Sequence, residues 1–186
     1  MRLRKKGVRP AGRAFAGRRL AVALATVGLI APILTFVVMA SPADAVPFHW
    51  NYQNTEHLTC LSSGGVHNGT VKAYNCTASS NQVWHYGALH GAYAQIINND
   101  GQCLSVAGGS TSSGAHAVMA NCSSNDEMFW LPQNYPPGLV VYFQNQHSQK
   151  VIQIACDCGS NGAIVDQEPF NNFGDPNQLW YTQAAG

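Results

Sequence analysis

Six cysteines are the residues of this sequence with the most clearly defined chemistry. Cys60 and Cys76 are 16 residues apart, and Cys103 and Cys122 are 19 apart. Cysteines paired in this way form structural disulfides in oxidising compartments, where they help small domains to stay folded. We predict one bridge in each pair. In the chain-entropy model, loops of this length stabilise the fold by about 3 kcal/mol each.

The last two cysteines, Cys156 and Cys158, are separated only by an aspartate. A bridge across one residue is strained and therefore more easily reduced. A metal site would need two further ligands at suitable spacing, and we find none in the sequence. We therefore place a local bridge first, a pair of free thiols second and a metal site third, and we predict no metal.

The acidic residues and histidines raise the question of catalysis. Asp166 and Glu168 are two residues apart and would share one face of a strand, whereas a glycosidase needs two carboxylates that flank the bond. The seven histidines form no His-Glu-x-x-His motif, and no serine stands in Gly-x-Ser-x-Gly. We predict no catalytic residues, no enzymatic activity and no cofactor.

The first 45 residues differ from the rest of the chain. They hold eight of the ten Lys and Arg residues, then an uncharged apolar stretch at 20–40, then small residues at Ala43 and Ala45. This order is typical of a secretory signal peptide. We therefore predict a signal peptide at 1–45 and one secreted domain at 46–186.

Two alternatives remain open for this segment. The apolar stretch has 21 residues and could span a bilayer as an uncleaved anchor, although Pro32 and the small residues favour cleavage. Arg18 and Arg19 would also permit export by the twin-arginine route.

Charge excludes some partners for residues 46–186. This part keeps Lys72 and Lys150 against eight acidic residues, a net charge of −6, and it has no arginine. Proteins that bind nucleic acid need clustered Lys and Arg to neutralise phosphates, and anionic membranes attract the same residues. We predict neither partner.

The elements that must position these residues are short strands arranged in repeats. Three tryptophans, Trp84, Trp130 and Trp180, stand 46 and 50 residues apart. Each closes a segment that begins with a short apolar run and continues through a glycine-rich turn. A repeated unit of this size cannot bury its own apolar face, so neighbouring units must pack together. Short strands between turn residues indicate an all-β fold, and three units suggest closure around a three-fold axis.

The two cysteine pairs and the closing motifs Gln82-Val-Trp84 and Gln178-Leu-Trp180 make the chain resemble the ricin-B-type β-trefoil lectin domain. In the second repeat, Met128 replaces the glutamine. The resemblance covers residues 50–183. It implies a β-trefoil with three four-stranded repeats and pseudo-three-fold symmetry. Independently of the resemblance, we expect the three tryptophans to be core residues.

The resemblance also implies sugar pockets, one in each repeat. The family uses an aspartate, a polar residue, an aromatic platform and an asparagine at fixed places around the cysteines and the closing motif. In the first repeat these places hold Ser62, Lys72, Tyr74 and Asn81. A flat ring suits the apolar face of a sugar, and amide and hydroxyl groups suit its hydroxyls. We therefore expect the best site here.

The other two repeats depart further from the pattern. The second reads Ser105, Val118, Ala120 and Glu127 and has neither ring nor asparagine, so we predict no site there. The third reads as follows: Gln153, Asp166, Glu168 and Asn177. It keeps the asparagine but has a carboxylate in place of the ring, which predicts a weaker polar site at Gln153, Asp166 and Asn177. All three aspartates of the pattern are absent.

The sequence therefore predicts a secreted, monomeric, carbohydrate-binding module whose partner is a polysaccharide or a glycoprotein glycan. The alternative is a β-trefoil that has lost sugar binding and binds another protein, as an inhibitor or toxin accessory does. The missing aspartates favour this alternative. An exposed apolar patch around Phe48, Trp50 and Tyr52, or around the loop Tyr135-Pro136-Pro137, would support it.

Overall fold

The computed structural model describes residues 49–66, 68–77, 79–135, 139–155, 159–171 and 175–185. The predicted signal peptide, and with it Phe48, lies outside these ranges, as do Cys156 and Cys158. Within the described ranges, no helix has the length and apolar character needed to cross a membrane.

Twelve short strands form the described part of the chain. Three of them, β4, β8 and β12, are each preceded by a single 3-10 turn and begin at or next to one of the repeated tryptophans. The strands are β1 (Trp50–Asn54), β2 (Thr59–Ser62), β3 (Lys72–Asn75), β4 (Trp84–His90), β5 (Tyr93–Asn98), β6 (Gln102–Val106), β7 (Ala115–Asn121), β8 (Phe129–Tyr135), β9 (Val140–Asn145), β10 (Val151–Ile154), β11 (Ala163–Glu168) and β12 (Trp180–Ala184).

Six of these strands close into a barrel. Antiparallel pairing runs from β1 to β4, β5, β8, β9 and β12, and β12 pairs with β1 again. The closing pair has five matched positions, from Trp50 opposite Ala184 to Asn54 opposite Trp180. A closed ring of this kind leaves no unpaired edge along these strands.

The other six strands form three hairpins, β2–β3, β6–β7 and β10–β11, one in each repeat. The hairpins also pair with each other, because β11 contacts both β3 and β7, and Thr70 forms a bridge with Val118. A six-stranded barrel with three mutually paired hairpins, built from three four-stranded repeats, is the β-trefoil, and the predicted fold class is confirmed.

The repeated tryptophans lie in the core, as predicted. Trp84, Trp130 and Trp180 are fully buried. Each indole N–H donates to a main-chain carbonyl at the same place of its own repeat, and the three acceptors are Leu61 at 3.0 Å, Leu104 at 2.9 Å and Ile152 at 3.5 Å. A buried indole needs such an acceptor, so the motif fixes the hairpin of each repeat to the barrel.

The glutamine of the closing motif joins the two ends of its repeat. Gln82 donates to the carbonyl of Asn75 at 3.0 Å and accepts the N–H of Thr77 at 2.8 Å. Gln178 repeats this arrangement in the third repeat, with Pro169 and Asn171 as partners. In the second repeat, the Met128 sulfur accepts the N–H of Ser123 at 3.3 Å and its hydroxyl at 3.4 Å, but it has no donor for the carbonyl at the end of the hairpin. The motif is therefore structural in two repeats and weaker in the second.

The two predicted disulfides, Cys60–Cys76 and Cys103–Cys122, are present. In the third repeat, Val151 and Phe170 stand at the corresponding places. Val151 is fully buried, and the Phe170 ring stacks on Tyr142 with centroids 4.1 Å apart. In this repeat, the residue at the place of the second cysteine therefore packs against β9 through an aromatic contact.

The expectation of an exposed apolar patch around Phe48, Trp50 and Tyr52 is wrong for Tyr52. Tyr52 is fully buried and packs edge-on against Phe143, with ring centroids 4.8 Å apart. Trp50 is half-buried and packs against the core. Alternation along β1 directs Tyr52 into the barrel.

Candidate functional site

The β2–β3 hairpin positions three of the four residues predicted for the first repeat. Ser62 lies directly opposite Lys72, and Cys60 lies opposite Tyr74. Side chains of directly opposed residues leave the sheet on the same face. The disulfide from Cys60 to Cys76 closes the end of this hairpin and restrains the strand that carries Tyr74.

A cavity of about 390 Å³ brings Ser62, Tyr74 and Asn81 together. Its size falls within the usual range for small-molecule sites. Gln82 and Gly64 complete the wall from the same repeat. Three of the four predicted residues therefore meet at one place, although they come from two strands and the turn before β4.

The third repeat completes this cavity with Asn161, which sequence reasoning did not identify. The side-chain oxygen of Asn161 accepts the N–H of Asn75 at 2.8 Å. Gly162, the next residue, lies beneath the Tyr74 ring, and a Cβ on it would stand 3.4 Å from the ring. The two repeats are joined here by the pairing of Ala73 with Ala163. The platform is thus supported by a neighbouring repeat.

Ser62 and Asn81 differ in how far their polar groups are already engaged. Ser62 is fully buried, and its hydroxyl accepts the N–H of Gly64 at 3.2 Å, so it also holds the glycine-rich turn. The carbonyl of Asn81 accepts the N–H of Ser63 at 2.9 Å. The Asn81 side-chain oxygen is buried without a hydrogen-bond partner in the described structure. A donor in the cavity would remove the cost of this unpaired oxygen.

Lys72 lies in a neighbouring cavity of about 260 Å³, which it lines together with Tyr74, Thr70 and Val66. Tyr74 and Gly64 line both cavities, whereas Lys72 and Asn81 each line only one of them. The sequence placed all four residues around one pocket. In the structure they line two adjoining cavities with one shared wall.

The second repeat has a different surface at the corresponding place. Ser105 is buried opposite Val118, and Cys103 lies opposite Ala120 where the first repeat has its ring. Glu127 replaces the asparagine and accepts a hydrogen bond from Asn125 at 3.0 Å. Two small or aliphatic side chains give a sugar no flat surface on which to stack.

The third repeat places Gln153 directly opposite Asp166. Gln178 donates to Gln153 at 3.1 Å, which holds the turn containing Asn177 against the hairpin. Asp166 is buried, and burial together with the charge of Glu168 raises the pKa of its carboxyl group. The carboxylate that the family carries on the first strand thus stands on the opposite strand in this repeat.

Titratable groups elsewhere form pairs rather than larger clusters. His49 and His85 pack edge-on with ring centroids 5.6 Å apart. Burial, with a contribution from His49, lowers the pKa of His85. His90 lies 3.5 Å from the Asp126 carboxylate at an exposed position. The described residues contain no group of three or more His, Cys, Asp or Glu arranged to hold a metal ion.

Comparison with known proteins gives one family and many solved structures. Residues 80–157 match the family model described as ricin-type beta-trefoil lectin domain-like. No curated protein matches the chain. A designed three-fold symmetric protein, ThreeFoil, superposes with a TM-score of 0.68 at 23% identity, covering 72% of this chain and 96% of that protein.

Two natural structures show the same fold. The exo-beta-1,3-galactanase of Clostridium thermocellum superposes with a TM-score of 0.69 at 20% identity, over 74% of this chain and 30% of the galactanase. The Macrolepiota procera ricin B-like lectin, solved in complex with lactose, gives 0.62 at 15% identity, over 73% of this chain and 94% of the lectin. The chain is a β-trefoil, and its residues 80–157 match the model of the ricin-type β-trefoil lectin domain-like family, which the repeated motifs resemble.

Proposed function

We propose that this protein is a secreted, monomeric carbohydrate-binding module without catalytic activity, and that its principal sugar site is in the first repeat. The observation that supports this most strongly is the cavity in which Ser62, Tyr74 and Asn81 meet. The family match over residues 80–157 supports the same class of function.

The first-repeat cavity has the chemistry that a pyranose needs. The half-buried Tyr74 ring offers a flat apolar surface, and its position over Gly162 fixes its orientation. Asn81 offers an amide on the other wall, and Asn161 adds a second one. Apolar stacking combined with a few fixed polar groups is typical of small-ligand sites. Lys72, in the adjoining cavity, would contact a second sugar unit or a substituent of the first.

A second, weaker site in the third repeat would use Gln153, Asp166 and Asn177. Here a carboxylate is available, and hydrogen bonds to a charged acceptor are stronger than those between neutral groups. The carboxylate would accept sugar hydroxyls from β11 rather than from β10. Glu168 stands where the platform would be, so this site would bind through hydrogen bonds without stacking.

Secretion fits the chemistry of the described domain. Two disulfides form within single repeats, and disulfides persist in oxidising compartments. The net charge of −6 on residues 46–186, without arginine, disfavours nucleic acid and anionic membranes as partners. A neutral polysaccharide or glycan has no such conflict.

The test is binding of the exported, oxidised protein to a panel of insoluble polysaccharides and immobilised glycans. Tyr74→Ala should weaken binding about tenfold or more, because stacking and burial of the ring are lost. Tyr181→Ala is the matched control, since Tyr181 is a 38% exposed tyrosine outside the described cavities.

Three outcomes would separate the alternatives. Binding that Tyr74→Ala removes and Tyr181→Ala leaves intact would support the first-repeat site. Binding that survives Tyr74→Ala but is lost in Asp166→Asn would move the principal site to the third repeat. If the folded, oxidised protein binds no glycan, the lectin function is wrong, and a protein partner becomes the leading hypothesis.

A further inference from the structure

A third cavity, of about 480 Å³, is lined by none of the residues assigned to the sugar pockets. It is formed between the end of β4, strand β5 and the segment that follows β7. Most of its lining is apolar or weakly polar, and Phe129 forms part of it. Its lining includes Leu89, His90, Gln95, Cys122, Ser124 and Phe129.

A β-bulge shapes one wall of this cavity. Tyr86 pairs with Ile96 and Leu89 pairs with Ala94, so β4 carries one residue more than β5 between these pairs. Gly87 lies in the bulge, where a Cβ would collide with the Ile97 side chain. Bulges of this kind redirect the side chains that follow them. Leu89 is consequently 74% exposed at the rim of the cavity.

Gln95 connects two walls of the cavity through hydrogen bonds of its side-chain amide. It is only 6% exposed. Its side-chain oxygen accepts the N–H of Ala88 in the bulge at 3.3 Å, and its amide nitrogen donates to the carbonyl of Ser123 at 2.7 Å. The Cys103–Cys122 disulfide restrains the same segment from the other side. The cavity is thus built into the fold rather than formed by side chains that can close over it.

The pseudo-three-fold symmetry shows what fills the corresponding place in the third repeat. Gln95 stands three residues before the last residue of β5, and Tyr142 stands three residues before the last residue of β9. Cys122 corresponds to Phe170, because the residue after each of them, Ser123 or Asn171, donates its N–H to the side chain of the closing motif. The rings of Tyr142 and Phe170 are stacked, with centroids 4.1 Å apart and planes 16° apart. In the third repeat, two stacked aromatic rings therefore occupy the place that corresponds to the cavity in the second repeat.

His90 gives the cavity a polar edge. Its ring packs edge-on against Phe129 with centroids 5.4 Å apart. Its Nδ1 atom lies 3.2 Å from the Gln146 amide nitrogen and 3.5 Å from an Asp126 carboxylate oxygen, which hold the ring in place. Ser124 adds a hydroxyl at the rim. An apolar cavity with a few fixed polar groups is the usual form of a small-molecule site.

We propose that this cavity binds a small planar aromatic compound that carries a hydroxyl group. The ring would lie over Phe129, between Leu89 and the disulfide, in the place that the Tyr142 and Phe170 rings take in the third repeat. The hydroxyl group would meet His90 or Ser124 at the edge. This site is independent of the sugar site, and neither requires the other.

The probe is 2-naphthol, compared with its saturated counterpart decahydro-2-naphthol, which has a similar carbon skeleton but is not flat. Equilibrium dialysis of the exported, oxidised protein measures both affinities. We expect 2-naphthol to bind at one site per chain and at least about fivefold more tightly than the saturated compound, since offset stacking favours flat rings. Equal affinities would contradict an aromatic site.

Two substitutions at exposed positions test the location without disturbing the core. Leu89→Ser removes an apolar wall and should weaken 2-naphthol binding by about fivefold. Ser124→Trp should fill the cavity and abolish binding. Leu139→Ser is the matched control, because Leu139 is 67% exposed and lies outside the described cavities.

The proposal is wrong if Leu89→Ser and Leu139→Ser reduce the affinity equally, or if Ser124→Trp still binds 2-naphthol like the unmodified protein. Tyr74→Ala distinguishes this site from the sugar site, because it should leave 2-naphthol binding unchanged. A loss of 2-naphthol binding in Tyr74→Ala would place the aromatic compound in the first-repeat cavity and overturn the assignment.

Discussion

Gln153 and Asp166 lie directly opposite each other on β10 and β11, and a hydrogen bond from Gln153 lowers the pKa of the carboxyl group that burial and Glu168 raise. Burial is the largest of these effects, so the pKa remains above its ordinary value of 3.8. The pair places a carboxylate on the second strand of its hairpin, where the first and second repeats carry Lys72 and Val118. Two predictions follow from this position.

The first concerns stability and pH. Because the pKa of Asp166 is higher in the folded state than in the unfolded state, the folded state binds more protons just above pH 3.8. The free energy of unfolding should therefore fall as the pH rises through this range. Asp166→Asn should remove this part of the pH dependence in thermal unfolding. If Asp100→Asn, a change at an exposed aspartate, alters the slope equally, the assignment to Asp166 is wrong.

The second concerns binding by the third repeat. A protonated Asp166 loses the charge that strengthens its hydrogen bonds to sugar hydroxyls. Glycan binding by Tyr74→Ala protein, which retains only the third-repeat site, should weaken as the pH falls below the raised pKa of Asp166. Calorimetric titration at several pH values measures this. Residual binding that does not change with pH would exclude Asp166 as a sugar ligand.

A glycine beneath the tyrosine gives a third prediction. Gly162 has a φ of +94° and would bring a Cβ to 3.4 Å from the Tyr74 ring. Gly162→Ala should therefore impose a backbone strain of about 1 kcal/mol or more. Relief of this strain would shift the turn that contacts the Tyr74 ring, so glycan binding should weaken as well. Gly101→Ala is the control, because Gly101 also has a positive φ, +76°, but open space around its Cβ position. Unfolding in urea and glycan affinity are measured for both variants.

These two variants should differ in one respect only. Both should lose stability, and only Gly162→Ala should lose affinity for glycan. Equal loss of affinity in Gly101→Ala would mean that general destabilisation, and not the position of the Tyr74 ring, determines binding.

The closing motif gives a fourth prediction. Gln82→Met should lower the free energy of unfolding by about 1–3 kcal/mol, because it leaves the carbonyl of Asn75 and the N–H of Thr77 without their partner. The reverse change in the second repeat, Met128→Gln, should cost less or be neutral. Urea unfolding of both variants measures the difference. A larger loss from Met128→Gln would contradict a structural role for the glutamine.

The disulfides give a fifth prediction. Replacing Cys60 and Cys76 together with alanine should lower stability by about 3 kcal/mol, and replacing Cys103 and Cys122 should have a similar effect. The second pair also borders the large cavity, so its loss should weaken 2-naphthol binding while glycan binding remains. Equilibrium unfolding and dialysis measure the two effects separately. Loss of glycan binding from the second pair alone would contradict the independence of the two sites.

The residues that the sequence predicted best are those that repeat along the chain. The three tryptophans and the two cysteine pairs recur at similar spacing, and the indole hydrogen bonds and the disulfides each form within one repeat. The fold follows from the same repetition. Contacts of this kind can be recognised because each repeat supplies an independent copy of the pattern.

The parts that the sequence did not predict depend on contacts between repeats. Asn161 and Gly162 lie far along the chain from Tyr74, and only the pairing of β3 with β11 brings them together. Lys72 was placed in the pocket of Asn81 because the family pattern groups the two positions, but in the structure they line different cavities. Tyr52 was considered as part of an exposed apolar patch, but the closed barrel buries it.

The pairing of β1 with β12 has a consequence for how the domain forms. The hydrogen bond from Gln183 to Gln53 joins residues 130 positions apart. Closing so long a loop has an entropic cost, and the contacts across the loop stabilise the fold only after it has closed. Chains rich in such distant contacts therefore fold slowly. The hairpins can form within their own repeats, but the barrel cannot close until its last strand has been synthesised. We therefore expect a newly made chain to remain only partly folded until β12 is present.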